Sequence, residues 1–237
     1  WAAMAIKAKI YLFEGNWTQV KNITSTIMTE GGFKLFGSYA GLFEIANEYN
    51  SEVILDAQYR PTSREHQMMY VFLPPTLGGY SQLSPLQELV DSYIMLDGKT
   101  IKETGTSFDE SHPYANRDPR LKATVMYTGN SYTLVVINCE KGEGKDGYGV
   151  GSDCSATGYY IKKYWDNTYR ATLYSGLNPI LIRYADILLM NAEALAELGE
   201  LDKTAWDATI KPIRDRAGFT LASALEFPEG ASKDKLI

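Results

Sequence analysis

Between Arg183 and Glu200 the chain reads RYADILLMNAEALAELGE, an Ala- and Leu-rich run whose apolar positions recur at helical spacing. At about 100° per residue, Asp186, Glu193 and Glu197 fall within one narrow sector, while Tyr184, Ile187, Leu188, Leu195 and Leu198 point elsewhere. The pattern predicts an amphipathic helix over 183–198 that ends at Gly199 and turns an acidic face to solvent or to a basic partner. A second helix is expected over 201–217, ended by Gly218, with Pro212 kinking or splitting it. The start of the chain repeats the device: a helix over 2–14 ends at Gly15-Asn16, and one over 17–29 ends at Glu30-Gly31-Gly32. Ala8 precedes Gly15 by the interval that separates Ala192 from Gly199, and a large residue, Trp17 or Leu201, stands two places past each glycine. A small residue lets helices approach and a glycine makes the turn, which is the logic of tetratricopeptide-like repeats.

Residues 35–180 lack this rhythm. Pro61, Pro74-Pro75, Gly78-Gly79 and Pro85 break up 56–85, leaving a long loop region with SPLQELVDSY as a short helix entered at Ser84, with Pro85 at its first position. KATVMY and YTLVVIN, separated by Thr128-Gly129-Asn130, predict a β-hairpin within 122–138. The expected fold is therefore mainly α: tetratricopeptide-like helical hairpins at 1–34 and 181–237 flank a loop-rich module, 35–180, that contains the small β-hairpin. Ser232 is expected to cap a further helix that stops after one turn, and both ends read as cuts through a longer protein.

At 237 residues and 45% hydrophobic content the chain can bury a substantial core. A net charge of −6, with no Lys/Arg block, argues against nucleic acid as a partner. Cys139 and Cys154 lack the CxxC or histidine context of a zinc site, leaving a disulfide open. No apolar stretch is long enough to span a membrane, and no signal peptide or lipid-attachment cysteine stands at the start. GEGKDG at 142–147 fits a dinucleotide fingerprint in letters only, because no helical pattern follows it to hold a pyrophosphate. Asp146 and Asp153 lack the twelve-residue calcium-loop pattern. His66 and His112 sit in no metal-binding or nucleophile-activating spacing, so both are expected to be loop residues. No cofactor and no catalytic residue is expected, although any of 29 acids leaves a carboxylate-dependent glycosidase as an alternative. Tyrosine is over-represented, 17 against 8 phenylalanines, and Tyr59, Tyr70, Tyr80, Tyr114, Tyr148, Tyr169 and Tyr174 fall in or beside expected loops. Half-exposed amphipathic rings suit sugars, nucleotides or peptides.

Seven segments taken together resemble one family. AAMAIKAKIYLFEGNW, FEIANEYNSEVILDAQY, PLQELVDSYIMLDGK, NRDPRLKATVMY, TGYYIKKYWD, NPILIRYADILLMNAEALAELGE and IKPIRDRAGF are similar, in this order, to the SusD/RagB-like nutrient-binding lipoproteins of the Bacteroidetes outer membrane. The resemblance implies a cell-surface protein, lipid-anchored through an N-terminal segment not in this sequence, that captures oligosaccharides, or peptides in RagB-like members. It implies delivery to a SusC-like TonB-dependent transporter, with no enzymatic activity. In this family an aromatic residue often follows paired glycines ahead of the LVDSY helix, and Tyr80 holds that place. Gln82 beside it, with Tyr59 and Arg60 at the start of the same loop region, completes the expected ligand-binding set. A helical-repeat scaffold that binds only a peptide or protein is the alternative from outside carbohydrate recognition.

Overall fold

The computed structural model describes residues 1–166, 168 and 171–230. Helix α1 (Ala2–Phe13) turns into α2 (Trp17–Glu30) through Gly15, whose left-handed φ of 68° lets Asn16 N–H reach back to Tyr11 O at 2.9 Å. Far along the chain, α6 (Tyr184–Glu197) ends the same way: Gly199 takes φ 70° and Glu200 N–H donates to Leu195 O at 2.7 Å. The interval shared by Ala8–Gly15 and Ala192–Gly199 thus marks one repeated capping geometry, and both alanines are fully buried. After α6, the chain forms α7 (Lys203–Ala208) and α8 (Ile210–Ala217), divided at Thr209. Pro212 has no N–H to give the preceding turn, so the split is where the sequence predicts a break.

The two hairpins pack on each other although about 150 residues of chain lie between them. Ala5, Ala8, Val20 and Ile27 share one core with Ile182, Ile187, Met190 and Ala194. Asn191 Nδ2 crosses it, donating to Thr24 Oγ1 at 2.9 Å and Ser25 Oγ at 3.1 Å. A two-stranded antiparallel ribbon, β1 (Val53–Asp56) with β6 (Ile180–Arg183), ties the entry and exit of the intervening module to this core. Asp186, at the start of the predicted acidic face, accepts from Arg183 N–H at 2.8 Å and so caps α6. Glu193 is half-buried, and burial followed by repulsion from Glu197 raises its carboxyl above the usual range. The three acids therefore do not form one solvated stripe.

The module at 35–180 contains short elements: α3 (Met68–Phe72), α4 (Gln87–Ser92), α5 (Pro119–Thr124) and the strands β2 (Val125–Met126), β3 (Ser131–Tyr132), β4 (Val135–Val136) and β5 (Tyr160–Ile161). Two sequence expectations are corrected here. The strands expected in KATVMY and YTLVVIN do not pair with each other: residues 119–124 are helical, entered through Asp118, whose carboxylate accepts from Arg120 N–H at 2.9 Å. β2 pairs instead with β5, and β3 folds back on β4 through Thr133-Leu134. Asn130 explains the switch, because its amide donates to Lys122 O and Val125 O and draws that turn onto α5. α4 starts at Gln87, two residues later than the expected entry at Ser84-Pro85, because the Ser84 hydroxyl lies 3.1 Å from that of Ser81 and does not cap. Tyr169, Ser232 and the helix expected after Ser232 lie outside the described residues.

The small core of this module gathers Met69, Phe72, Leu73, Met126, Tyr132 and Tyr160. Not all tyrosines are half-exposed as their number suggests: Tyr132, Tyr159 and Tyr160 are buried, and their hydroxyls donate to Ile161 O, Gln87 Oε1 and Asp146 O respectively.

Candidate ligand-binding site

The exposed tyrosines are placed by an unusual backbone. After α3 the chain turns through Pro74-Pro75 and Gly78-Gly79 and runs back along the helix it has just left. Tyr80 N–H donates to Tyr70 O at 2.9 Å, Ser81 N–H to Leu73 O at 3.2 Å and Gln82 N–H to Val71 O at 2.7 Å. This approach requires glycine: a Cβ on Gly79 would stand 2.1 Å from Leu73 O. The Tyr80 and Tyr70 rings consequently lie side by side, centroids 4.5 Å apart and tilted by 36°, each 37% exposed.

A third ring joins from a distant part of the sequence. Gly78 packs beside Leu173, and Leu173 precedes Tyr174, which is 44% exposed. The Tyr80 hydroxyl raises the Tyr70 hydroxyl above its usual range, with smaller contributions from Tyr174 and Asp153. Tyr70 is thus a neutral hydrogen-bonding phenol at physiological pH. Ser81 and Leu173, each next to an exposed tyrosine, have left-handed backbones with φ of 44° and 58°. Such conformations cost on the order of 1–3 kcal/mol each in non-glycine residues and concentrate at binding and catalytic sites.

His66 holds the arrangement together. Its backbone exchanges two 2.9 Å hydrogen bonds with Ser175, its Nε2 lies 2.7 Å from Leu177 O, and its Nδ1 accepts from Met68 N–H at 3.3 Å. This pattern assigns the proton to Nε2 and fixes α3 against the 174–177 segment. His66 is therefore committed to structure. His112 is exposed and bonded to its neighbours Asp109 and Ser111.

Of the four residues predicted from sequence, Tyr80 and Gln82 emerge together on the returning segment, with Gln82 exposed. Tyr59 and Arg60 stand on a separate turn. The Tyr59 ring meets His66 edge-on at 4.6 Å and has the Arg64 guanidinium over it at 5.6 Å from its centroid, while exposed Arg60 is bridged to Arg64 through the backbone. His66 and Ser175 link this turn to Tyr174. Tyr70 and Tyr174 were not in the predicted set. The paired glycines signal the return that brings Tyr80 onto Tyr70, whereas no local pattern connects Tyr174 to a loop nearly one hundred residues earlier.

Other polar candidates are used by the fold. Asp146, in the glycine-rich 142–147 segment, is buried and accepts from Thr76 N–H at 2.7 Å. Cys139 and Cys154 are both free thiols. Burial pushes the Cys139 thiol up to about 12. At pH 8 a disulfide-exchange reagent should therefore titrate Cys154 quickly in the native protein and Cys139 only after denaturation; fast reaction of both thiols without denaturant would contradict this burial.

A model of the SusD family matches residues 41–237. The chain belongs to the SusD family. Among solved structures, a SusD-like carbohydrate-binding protein from Bacteroides fragilis superposes with a TM-score of 0.83 at 26% identity, over 99% of this chain and 46% of that one. A laminarin-binding SusD-like protein gives a TM-score of 0.58 at 20% identity, over 99% of this chain and 50% of its own. A SusD-like protein from Formosa agariphila is 43% identical over 54 residues, 23% of this chain and 10% of that relative. The SusD chain described here thus spans about half the length of the solved relatives it matches. No described helix is long and apolar enough to cross a membrane.

Proposed function

We propose that this chain contributes the glycan-binding surface of a cell-surface nutrient-capture protein, lipid-anchored at the outer membrane, that passes oligosaccharides to a TonB-dependent transporter without altering them. The observation that carries this reading is the exposed Tyr70–Tyr80 pair, with exposed Tyr174 on the segment that Leu173 packs against Gly78. Tilted rings offer flat apolar faces to sugar C–H groups, and their hydroxyls with the Gln82 amide offer donors and acceptors at the edge. Tyr59 and Arg60 extend the surface through the turn that His66 fixes. Family membership, and the carbohydrate and laminarin binding of two structural relatives, support the same ligand class.

The test is affinity electrophoresis through gels that contain neutral and acidic polysaccharides, laminarin among them. The reading expects retardation by at least one polysaccharide and no release of reducing ends from it over hours. Uniform migration across the panel would remove the glycan role. Steady product formation that is lost when one carboxylate of this chain is replaced would make it a glycosidase instead.

A further inference from the structure

Between α5, the turn at 40–47 and the segment after β5 lies a cavity of about 340 Å³, a size suited to a small ligand group. It is separate from the tyrosine face, and Lys122, Lys162 and Lys163 all line it. Among the described residues none of these lysines forms an ion pair. Lys162 Nζ donates to the neutral Asn130 Oδ1 at 3.0 Å, and Lys163 Nζ sits 4.0 Å from the centroid of the Phe43 ring. Glu44 is the sole carboxylate among the lining residues, and it is exposed. Trp165 lines the same cavity, and among the described residues its buried indole N–H has no hydrogen-bond partner. Buried donors without acceptors are rare in folded chains.

The surrounding charges make the imbalance sharper. Burial, then Arg183, lowers the Lys163 amine to about 8, with Arg216 adding to the effect and Asp186 and Glu52 opposing it. Both of those carboxylates are engaged elsewhere: Glu52 accepts from Arg183 and Arg216, and Asp186 accepts from the Arg183 backbone. Burial, then Lys122, likewise lowers Lys162. An anion entering the cavity would meet ammonium groups that no acid among the described residues has claimed.

We propose that this cavity binds the anionic substituent, carboxylate or sulfate, of a glycan. The proposal rests on the glycan-binding reading above and narrows its ligand to an acidic oligosaccharide. The probes are dextran, carboxymethyl dextran and dextran sulfate, which share one backbone, compared by affinity electrophoresis at fixed ionic strength. At least one anionic dextran should bind tenfold or more tightly than dextran itself, and whichever does so assigns the substituent. Lys122→Gln with Lys163→Gln should lose at least tenfold of that binding, Lys163→Arg should keep it, and Lys7→Gln with Lys9→Gln, which removes equal charge from exposed positions on α1, should also keep it.

Equal loss in the two double variants, or no preference over dextran, would overturn the site. Melting temperatures accompany each variant; if the first double variant does not fold, Lys122→Gln alone, at an exposed side chain, must lose about threefold or the site is rejected. Failure of the glycan reading is a separate result. It appears as no retardation by any polysaccharide, neutral or anionic, whereas failure of the anion site alone leaves neutral binding intact.

Discussion

Glu52→Ala is expected to cost about 3–5 kcal/mol of folding stability, because it strips the counter-charge from buried cations. The Glu52 side chain is fully buried. Its Oε1 accepts from Arg183 at 2.8 Å, and its Oε2 accepts from Arg216 at 2.8 Å and from Phe36 N–H at 2.7 Å. These bonds join the segment after the first hairpin, the β1–β6 ribbon and α8, drawn from across the chain. Both guanidiniums also pack over the Tyr39 ring, with Arg183 at 6.0 Å and Arg216 at 5.5 Å from its centroid. Without the carboxylate, two guanidiniums and the Lys163 amine would face one another in a poorly solvated space. Arg216→Met should cost less, since Arg216 Nε and one terminal nitrogen already lack partners among the described residues. Urea unfolding checks both: a Glu52→Ala midpoint equal to that of the parent protein, or above that of Arg216→Met, would contradict this account of the core.

Tyr80→Ala should weaken glycan binding by on the order of 2 kcal/mol, about thirtyfold, the usual scale for a central aromatic anchor. The melting temperature should stay nearly unchanged, because the Tyr80 ring is 37% exposed and its backbone hydrogen bond to Tyr70 O survives the substitution. Tyr70→Ala removes the neighbouring ring and should produce a comparable loss. A large fall in stability with unaltered affinity would make Tyr80 ordinary packing, and calorimetry of both variants against the polysaccharide that retards the parent protein separates the two outcomes.

The helical frame was legible because its signals are local. Ala8–Gly15 and Ala192–Gly199 encode a capped turn within a few residues, and Pro212 announces the division between α7 and α8. The module between the hairpins was less legible because competing local signals are settled by distant partners. Val125 and Met126 have strand character, but which strand they pair with depends on Tyr160 and Ile161, more than thirty residues on. Asp118-Pro119 is a helix start that the apolar run after it concealed. The candidate site divides in the same way. Gly78-Gly79 and Tyr80 stand adjacent in sequence, so the return that exposes Tyr80 leaves a local signal, although part of the expected loop over 56–85 is helix α3, while Tyr174 joins through Leu173 and the His66–Ser175 bridge. The acidic positions on α6 show the limit of periodicity: it places Asp186 near Glu193 and Glu197 in angle, but not at the helix start, where its carboxylate finds a backbone N–H.

The central claim, that glycan is held on the tyrosine face, is tested most directly by a crystal structure of the protein with the oligosaccharide that binds best in the gel panel. A sugar ring stacked on Tyr80 or Tyr70, with hydroxyls within hydrogen-bonding reach of Gln82 or Tyr174, is the predicted result. Sugar density elsewhere on the chain, with all three rings still facing solvent, would contradict it.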